Sequence, residues 1–161
     1  HQDFAFYPHT NYDLVSCVIH LDTESSSSGP LTFLPGSHIL GPLSHLDEAG
    51  NFAYECTDIP ESGLTDQVEV VGGAGLVSFH HCLTLHRSAP RLSKDPRRLI
   101  VFQYRAIDAV QLAGVLWRCN GLSVTGDTQS IRVARFPDGT TISLRGNGGR
   151  LIDLGGITSP S

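Results

Sequence analysis

The stretch that decides the fold is Leu14-Val15-Ser16-Cys17-Val18-Ile19-His20-Leu21, which is rich in residues that favour β-strands. Within it, Val15, Cys17, Ile19 and Leu21 alternate and form one apolar face. Further strand patterns lie at residues 31–34, 67–71, 76–79, 99–104, 131–136 and 140–144. The sequence therefore predicts a mainly β protein.

Turn-forming residues separate these strands. Glycine, proline, serine, asparagine and aspartate cluster at 25–30, 35–37, 72–75, 137–139 and 146–149, where they supply the positive or fixed φ that chain reversals need. Helical periodicity is weak, and only Asp108 to Trp117 is a candidate helix. Many short strands between such turns favour an antiparallel sandwich, barrel or jelly roll.

Composition narrows the function classes. The chain has 161 residues, 40% hydrophobic and 17% charged, which fits one globular domain, 1–161. Residues 1–86 hold 11 acidic groups and no lysine or arginine, whereas 87–161 hold all 11 basic groups. This pattern lacks the long basic face of a nucleic-acid-binding protein.

The four widely spaced cysteines are expected to be reduced. No membrane span or signal segment is visible, so we expect a soluble, cytoplasmic protein that interacts with neither nucleic acid nor membrane.

Histidines and carboxylates suggest a metal site. Two histidines and one carboxylate on one face of an iron ion leave positions open for a co-substrate and O₂. Residues i and i+2 of an extended chain project to the same side, so an H-x-D sequence delivers two ligands. The chain has three such pairs, which are His1/Asp3, His20/Asp22 and His45/Asp47. The pattern alone does not choose between them.

A second group of residues surrounds His86, which follows a strand that ends near Phe79. Eleven residues further on, Arg97 and Arg98 precede the apolar strand at 99–104. An arginine that enters a strand beside a metal-bound histidine is suited to a bidentate pair with the carboxylate of a bound acid. The carboxylate tail of 2-oxoglutarate is such a group.

Taken together, these segments resemble the phytanoyl-CoA dioxygenase family of Fe(II)/2-oxoglutarate-dependent oxygenases. The resemblance covers roughly 1–108 and is vaguer over 109–161. It rests on residues 1–8 (HQDFAFYP), the segment from Leu21-Asp22 to 29–38 (GPLTFLPGSH), residues 86–90 (HRSAP) and residues 96–106 (PRRLIVFQYRA). It implies a double-stranded β-helix (jelly roll) lacking its N-terminal strands and helices, so that 1–161 is the C-terminal part of such a domain.

The same resemblance implies the site and the reaction. His1, Asp3 and His86 would bind Fe(II), and Arg97 and Ser88 would bind the distal carboxylate of the co-substrate 2-oxoglutarate. The enzyme would use O₂ to hydroxylate a small molecule or acyl thioester, with release of succinate and CO₂. Related halogenases lack the carboxylate ligand, so Asp3 favours hydroxylation. The family commonly has glycine where this chain has Arg87, a change that suits either an acidic substrate or a surface position.

The resemblance also selects among the H-x-D pairs, because it places His20/Asp22 at a strand end and His45/Asp47 in a variable segment. Three alternatives to the proposed enzyme remain open. They are a non-catalytic jelly-roll module that binds a ligand, a copper histidine-brace monooxygenase built on His1 and His86, and a cupin with three histidines and a glutamate on its metal. The spacing does not suit the cupin.

The sequence begins at the first candidate ligand and contains no methionine. We therefore expect the strand that delivers His1 to lie upstream, and residues 1–161 alone to be poorly stable and to bind 2-oxoglutarate weakly. Substrate identity and oligomeric state are left open.

Overall fold

The structure, a computed structural model, describes residues 1–60, 67–114, 124, 131–147 and 150–158. In this part of the chain there are nine strands, two short 3-10 turns (Asp3–Ala5 and Ser37–Leu40) and no α-helix. The strands are β1 Leu14–His20, β2 Leu31–Phe33, β3 Val68–Glu69, β4 Val77–His81, β5 His86–Ser88, β6 Leu99–Arg105, β7 Ile131–Arg135, β8 Thr141–Asn147 and β9 Arg150–Thr158. The predicted mainly β class is confirmed.

The chain divides into two compact units, the first made of His1–Ala5 and Leu14–Tyr104. This unit contains two three-stranded sheets, with strand orders β4-β1-β6 and β3-β2-β5. In the first sheet, β1 and β4 are antiparallel and Ser16 lies opposite His80. The aromatic ring of Phe33 in the second sheet contacts the rings of His80 and His86, with centroids 4.8 and 5.6 Å apart. The candidate ligands therefore lie where the two sheets approach one another.

The second unit is formed by Phe6–Asp13 and Arg105–Ser161. Its sheet has the order β7-β8-β9, with antiparallel pairing throughout. The side chains of Thr10 and Asn11 donate hydrogen bonds to the carbonyl of Asp108. Arg135 forms ion pairs with Asp13 and Asp108. The prediction of one domain over 1–161 stays a prediction.

The apolar face expected for β1 is not its most buried face. Val15 and Leu21 are 37% and 42% exposed, whereas Ser16 and His20 are fully buried. The sequence pattern groups residues by hydrophobicity, but the inward face of this strand carries polar side chains that contact buried carboxylates. Leu14 and Val18 on the same face are buried as well, so this face combines core packing with buried polar side chains that are hydrogen-bonded.

Some sequence predictions differ from the structure in detail. Strands β5 and β9 were not predicted, and the expected strand at 67–71 is reduced to β3. The candidate helix at 108–117 is wrong for residues 108–114, which contain no helix, and its remainder with Trp117 lies outside the described residues. No disulfide involves Cys17, Cys56 or Cys82, and Cys119 lies outside the described residues. Among the described residues, no helix has the length and hydropathy of a membrane span.

Candidate metal centre

His1 and His86 are brought together by the main chain. The backbone nitrogen of His1 donates to the carbonyl of His86 at 2.8 Å, and the His86 N–H donates to the carbonyl of His1 at 3.1 Å. This exchange is typical of directly opposed residues on antiparallel strands. It places the two side chains next to each other, with ring centroids 4.3 Å apart.

Asp3 reaches the same point by a different route from the one predicted. The sequence argument assumed an extended chain from His1 to Asp3, but Asp3 begins a 3-10 turn, and the N–H of Phe4 donates to the carbonyl of Cys82 at 3.1 Å. The turn is anchored next to β4 and β5, so the carboxylate still points at the two histidines. One carboxylate oxygen, Oδ1, lies 3.7 Å from Nε2 of His1 and 3.4 Å from Nε2 of His86.

These three side chains fit a metal ion. Their ligand atoms all lie within 4.8 Å of one another, and they form the one such cluster of three or more potential ligands in the described part of the chain. Bonds from a transition metal to such atoms are about 2.0–2.2 Å long, so two ligands of one ion lie at most about 4.4 Å apart. The Asp3 to histidine distances are within this limit.

The protonation of His86 supports the same interpretation. Its Nδ1 lies 2.9 Å from the carbonyl of Thr84, which requires Nδ1 to carry a proton. Nε2 then faces Oδ1 of Asp3, and because both atoms carry lone pairs, the contact needs a shared proton or a shared cation. Burial favours the neutral form of Asp3, but its contacts with His80, His86 and Ser16 outweigh burial and hold the pKa of Asp3 far below its ordinary value.

The other carboxylate oxygen of Asp3, Oδ2, contacts two side chains that the sequence did not identify as its partners. Ser16 Oγ donates to it at 2.5 Å, and Nε2 of His80 lies 3.0 Å from it. Ser16 is fully buried in β1, and the sequence offers one signal for it, a serine within an otherwise apolar strand. His80 lies opposite Ser16 in the pairing of β1 with β4 and contacts the predicted ligand Asp3 directly.

Gln2, which lies between the predicted ligands His1 and Asp3 in sequence, anchors the segment. Its buried side chain donates to the carbonyls of Gly41 and Leu83 and accepts from the N–H of Leu43, all at 2.8–2.9 Å. Its backbone N–H donates to Nε2 of His45 at 3.1 Å. Burial lowers the pKa of His45, consistent with a neutral ring whose Nε2 accepts this bond. Sequence reasoning missed this role of Gln2, because its partners are about 40 and 80 residues away.

The predicted co-substrate anchor, Arg97, is part of a buried polar network. Its Nε donates to the carboxylate of Glu24 at 3.0 and 3.3 Å, and its side chain is 15% exposed. Glu24 also accepts from Nδ1 of His20 at 2.8 Å and from Oγ of Ser28 at 2.5 Å. Burial raises the pKa of Glu24, but these hydrogen bonds and the positive charge of Arg97 lower it below its ordinary value. Glu24 is therefore a buried carboxylate that holds Arg97.

The free side of Arg97 suits an anion. Its Nη2 is buried and has no hydrogen-bond partner within the described residues. A buried, unpaired guanidinium nitrogen is costly, and a carboxylate from a bound acid would satisfy it. Ser88, the other predicted contact of the co-substrate, is exposed. It projects from the same face of β5 as His86. The roles of Arg97 and Ser88 stay predictions.

The competing H-x-D pairs have other partners. Asp22 accepts three hydrogen bonds from Arg98, two from the side chain and one from the backbone. Asp47 caps a turn by accepting from the N–H groups of Ala49 and Asn51. Arg87 and His86 project from opposite faces of β5. The Arg87 side chain is exposed and donates a hydrogen bond to Gln67, which agrees with a surface position.

Two antiparallel sheets that hold two histidines and a carboxylate define the class of jelly-roll oxygenases with a non-haem iron centre. The chain belongs to one family of that class: the family model "Phytanoyl-CoA dioxygenase (PhyH)" matches residues 1–99. The family confirms the predicted fold class, and it implies Fe(II) and 2-oxoglutarate as the sequence predicted.

Two curated proteins are similar to much of the chain. The chain is 36% identical over 138 residues to a "probable alpha-ketoglutarate-dependent hypophosphite dioxygenase" of Stutzerimonas stutzeri, a match that covers 83% of this chain and 46% of the relative. It is 30% identical over 107 residues to a "methylphosphonate hydroxylase" of Gimesia maris, covering 66% of this chain and 38% of the relative. The chain thus spans less than half the length of both relatives.

Proposed function

We propose that this chain carries the active site of an Fe(II)- and 2-oxoglutarate-dependent dioxygenase that hydroxylates a small phosphorus oxyanion. The observation that carries the proposal is the convergence of His1, Asp3 and His86 on one point. The names of the two relatives, one for hypophosphite and one for methylphosphonate, favour this substrate class over an acyl thioester.

In this proposal each side chain has a defined task. His1, Asp3 and His86 hold the iron, which when bound supplies the redox centre for O₂ activation coupled to 2-oxoglutarate oxidation. Arg97 binds the distal carboxylate of 2-oxoglutarate through Nη2, which Glu24 leaves without a partner. Ser88 is proposed to contact the same carboxylate.

The reaction inserts one oxygen atom of O₂ into the substrate. The other atom enters succinate as CO₂ leaves 2-oxoglutarate. With hypophosphite a P–H bond becomes P–OH and the product is phosphite; with methylphosphonate a C–H bond becomes C–OH. The charge of the site suits an anion, because Asp3 supplies its single carboxylate and a bound divalent cation would more than neutralise that charge.

Phosphorus NMR distinguishes the substrates. The full chain is incubated with Fe(II), 2-oxoglutarate and O₂, together with hypophosphite, methylphosphonate or a branched acyl-CoA, and succinate is measured in parallel. We expect phosphite or hydroxymethylphosphonate to appear in step with succinate, and neither to form with Asp3→Ala. Turnover with the acyl thioester alone would contradict the phosphorus substrate but not the enzyme class.

Other outcomes would support the alternatives. A copper histidine brace uses the backbone nitrogen of its histidine as a ligand, and here this nitrogen of His1 donates to the carbonyl of His86. Copper rather than iron in the purified protein would nevertheless favour the brace. A protein that binds 2-oxoglutarate but never releases succinate would favour a non-catalytic module. A cytoplasmic location stays a prediction.

A further inference from the structure

The two oxygens of Asp3 lie in different surroundings. Oδ1 faces the ring nitrogens of His1 and His86. Oδ2 accepts the Ser16 hydroxyl at 2.5 Å and contacts Nε2 of His80 at 3.0 Å. Because a carboxylate only accepts hydrogen bonds, Nε2 of His80 carries the proton and donates. Oδ2 thus has two protein donors, whereas Oδ1 faces the predicted metal ligands.

The two donors are fixed by the fold. Ser16 and His80 are directly opposite each other in the antiparallel pairing of β1 with β4, so both side chains project from the same face of the sheet. The single hydroxyl proton of Ser16 has two acceptors within reach, Oδ2 of Asp3 at 2.5 Å and Oε1 of Gln103 at 2.7 Å, of which the charged and closer Oδ2 is the stronger. The ring of His80 packs against Phe33. Full burial of Ser16 in β1 and the packing of His80 against Phe33 keep both side chains beside Asp3.

From this arrangement we infer that Ser16 and His80 are positioning residues that restrict Asp3 to binding the metal through Oδ1 alone. The inference rests on the proposed function. A carboxylate binds a metal through one oxygen or through both, and the second oxygen occupies a further coordination position. Two histidines and one carboxylate oxygen leave three of six positions open, two for the 2-oxo acid end of 2-oxoglutarate and one for O₂. Ser16 and His80 therefore preserve the room that the co-substrate needs.

The consequence differs from that of an ordinary structural contact. Once Oδ2 is released, Asp3 is free to bind through both oxygens, so metal affinity is kept or increases while 2-oxoglutarate loses a position. A contact that only supports the fold would weaken metal and co-substrate binding together.

Cobalt(II) is a suitable probe, because its visible absorption reports the number of ligands and it does not turn over. The full chain and its Ser16→Ala and His80→Gln variants are titrated with Co(II) and then with 2-oxoglutarate without oxygen, and unfolding is followed by circular dichroism. We expect Ser16→Ala to bind Co(II) within about threefold of the original protein but 2-oxoglutarate at least tenfold more weakly. His80→Gln keeps an N–H donor and is expected to lose less.

Two further variants serve as controls. Ser16→Thr keeps the hydroxyl and is expected to restore 2-oxoglutarate binding, and Ser26→Ala removes an exposed hydroxyl that contacts Glu69 and is expected to change neither affinity. Should Ser16→Ala not fold, His80→Phe tests the same point from the other strand.

The inference is overturned if loss of a donor leaves 2-oxoglutarate binding and the Co(II) spectrum unchanged, or if it weakens both ligands equally. If the unsubstituted protein itself binds neither Co(II) nor 2-oxoglutarate, it is the proposed function that fails.

Discussion

The buried carboxylate of Glu24 offers a quantitative test of how Arg97 is held. Replacing Glu24 by glutamine keeps the shape of the side chain but removes its charge. Three donors converge on this carboxylate, from His20, Ser28 and Arg97, and its side chain is 1% exposed. The substitution therefore leaves the guanidinium of Arg97, itself only 15% exposed, without its counter-ion.

The expected loss of stability follows from burial. Removing one partner of a buried ion pair costs about 3–5 kcal/mol, and because the amide oxygen of glutamine still accepts a hydrogen bond, we expect about 3 kcal/mol. For a chain of this length each kcal/mol lowers Tm by roughly 2–4 °C, so Tm should fall by about 6–12 °C. The affinity for 2-oxoglutarate should also fall, because Arg97 loses its orientation.

The neighbouring pair provides a matched control. Asp22 accepts hydrogen bonds from Arg98 just as Glu24 does from Arg97, but the Arg98 side chain is 67% exposed. Exposed ion pairs contribute little, so Asp22→Asn should lower stability far less than Glu24→Gln and leave 2-oxoglutarate binding unchanged.

Acid titration gives a second check. The pKa of Glu24 is lower in the folded protein than its ordinary value of 4.5, so its stabilisation is present above that value and is lost as the pH falls through the lowered pKa. Glu24→Gln should therefore lose less stability on acidification than the original protein. Urea unfolding at pH 7 and at decreasing pH measures both quantities. Equal effects of Glu24→Gln and Asp22→Asn at pH 7 would refute the argument.

Three further substitutions test the site. Asp3→Ala removes the one anionic ligand and should abolish succinate formation, measured by proton NMR; undiminished turnover would mean that the metal is bound elsewhere. Arg97→Ala removes charged hydrogen bonds worth about 1.5–3 kcal/mol, so the concentration of 2-oxoglutarate for half-saturation should rise about 10- to 100-fold. An unchanged value would move the anchor to another residue. Gln2→Ala leaves the N–H of Leu43 and the carbonyls of Gly41 and Leu83 unpaired and should destabilise the protein by about 3 kcal/mol in urea unfolding. A loss below about 1 kcal/mol would show that water replaces these bonds.

Local patterns in the sequence were sufficient to predict most strands. β1, β2 and β6 agree with the predicted runs to within about one residue, because apolar and β-branched residues are concentrated there and turn-forming residues bound them. β5 was missed because its three residues, His86–Ser88, have no apolar character. They form a strand only because β2 supplies the hydrogen-bonding partner.

The predicted ligands meet in the structure, but most of the side chains that support them could not be predicted from the sequence. Ser16, Gln2 and Glu24 act through partners distant in sequence, and no local period marks such contacts. The alternation of apolar residues in β1 also predicted the wrong buried face, because the alternating apolar residues lie on the less buried face of the strand. The buried face instead carries Ser16 and His20, which contact Asp3 and Glu24.

The backbone exchange between His1 and His86 has a thermodynamic consequence. These ligands are 85 residues apart in sequence, so an ion bound to both would act as a cross-link that closes a long loop of the first unit. The ion would bind the folded chain, in which the two histidines are adjacent, and not the unfolded chain. At a metal concentration a hundredfold above its Kd, it would add about 2.7 kcal/mol to the free energy of unfolding. Iron would then be a structural component of the protein as well as its reactive centre, and iron limitation would shorten the lifetime of the folded chain.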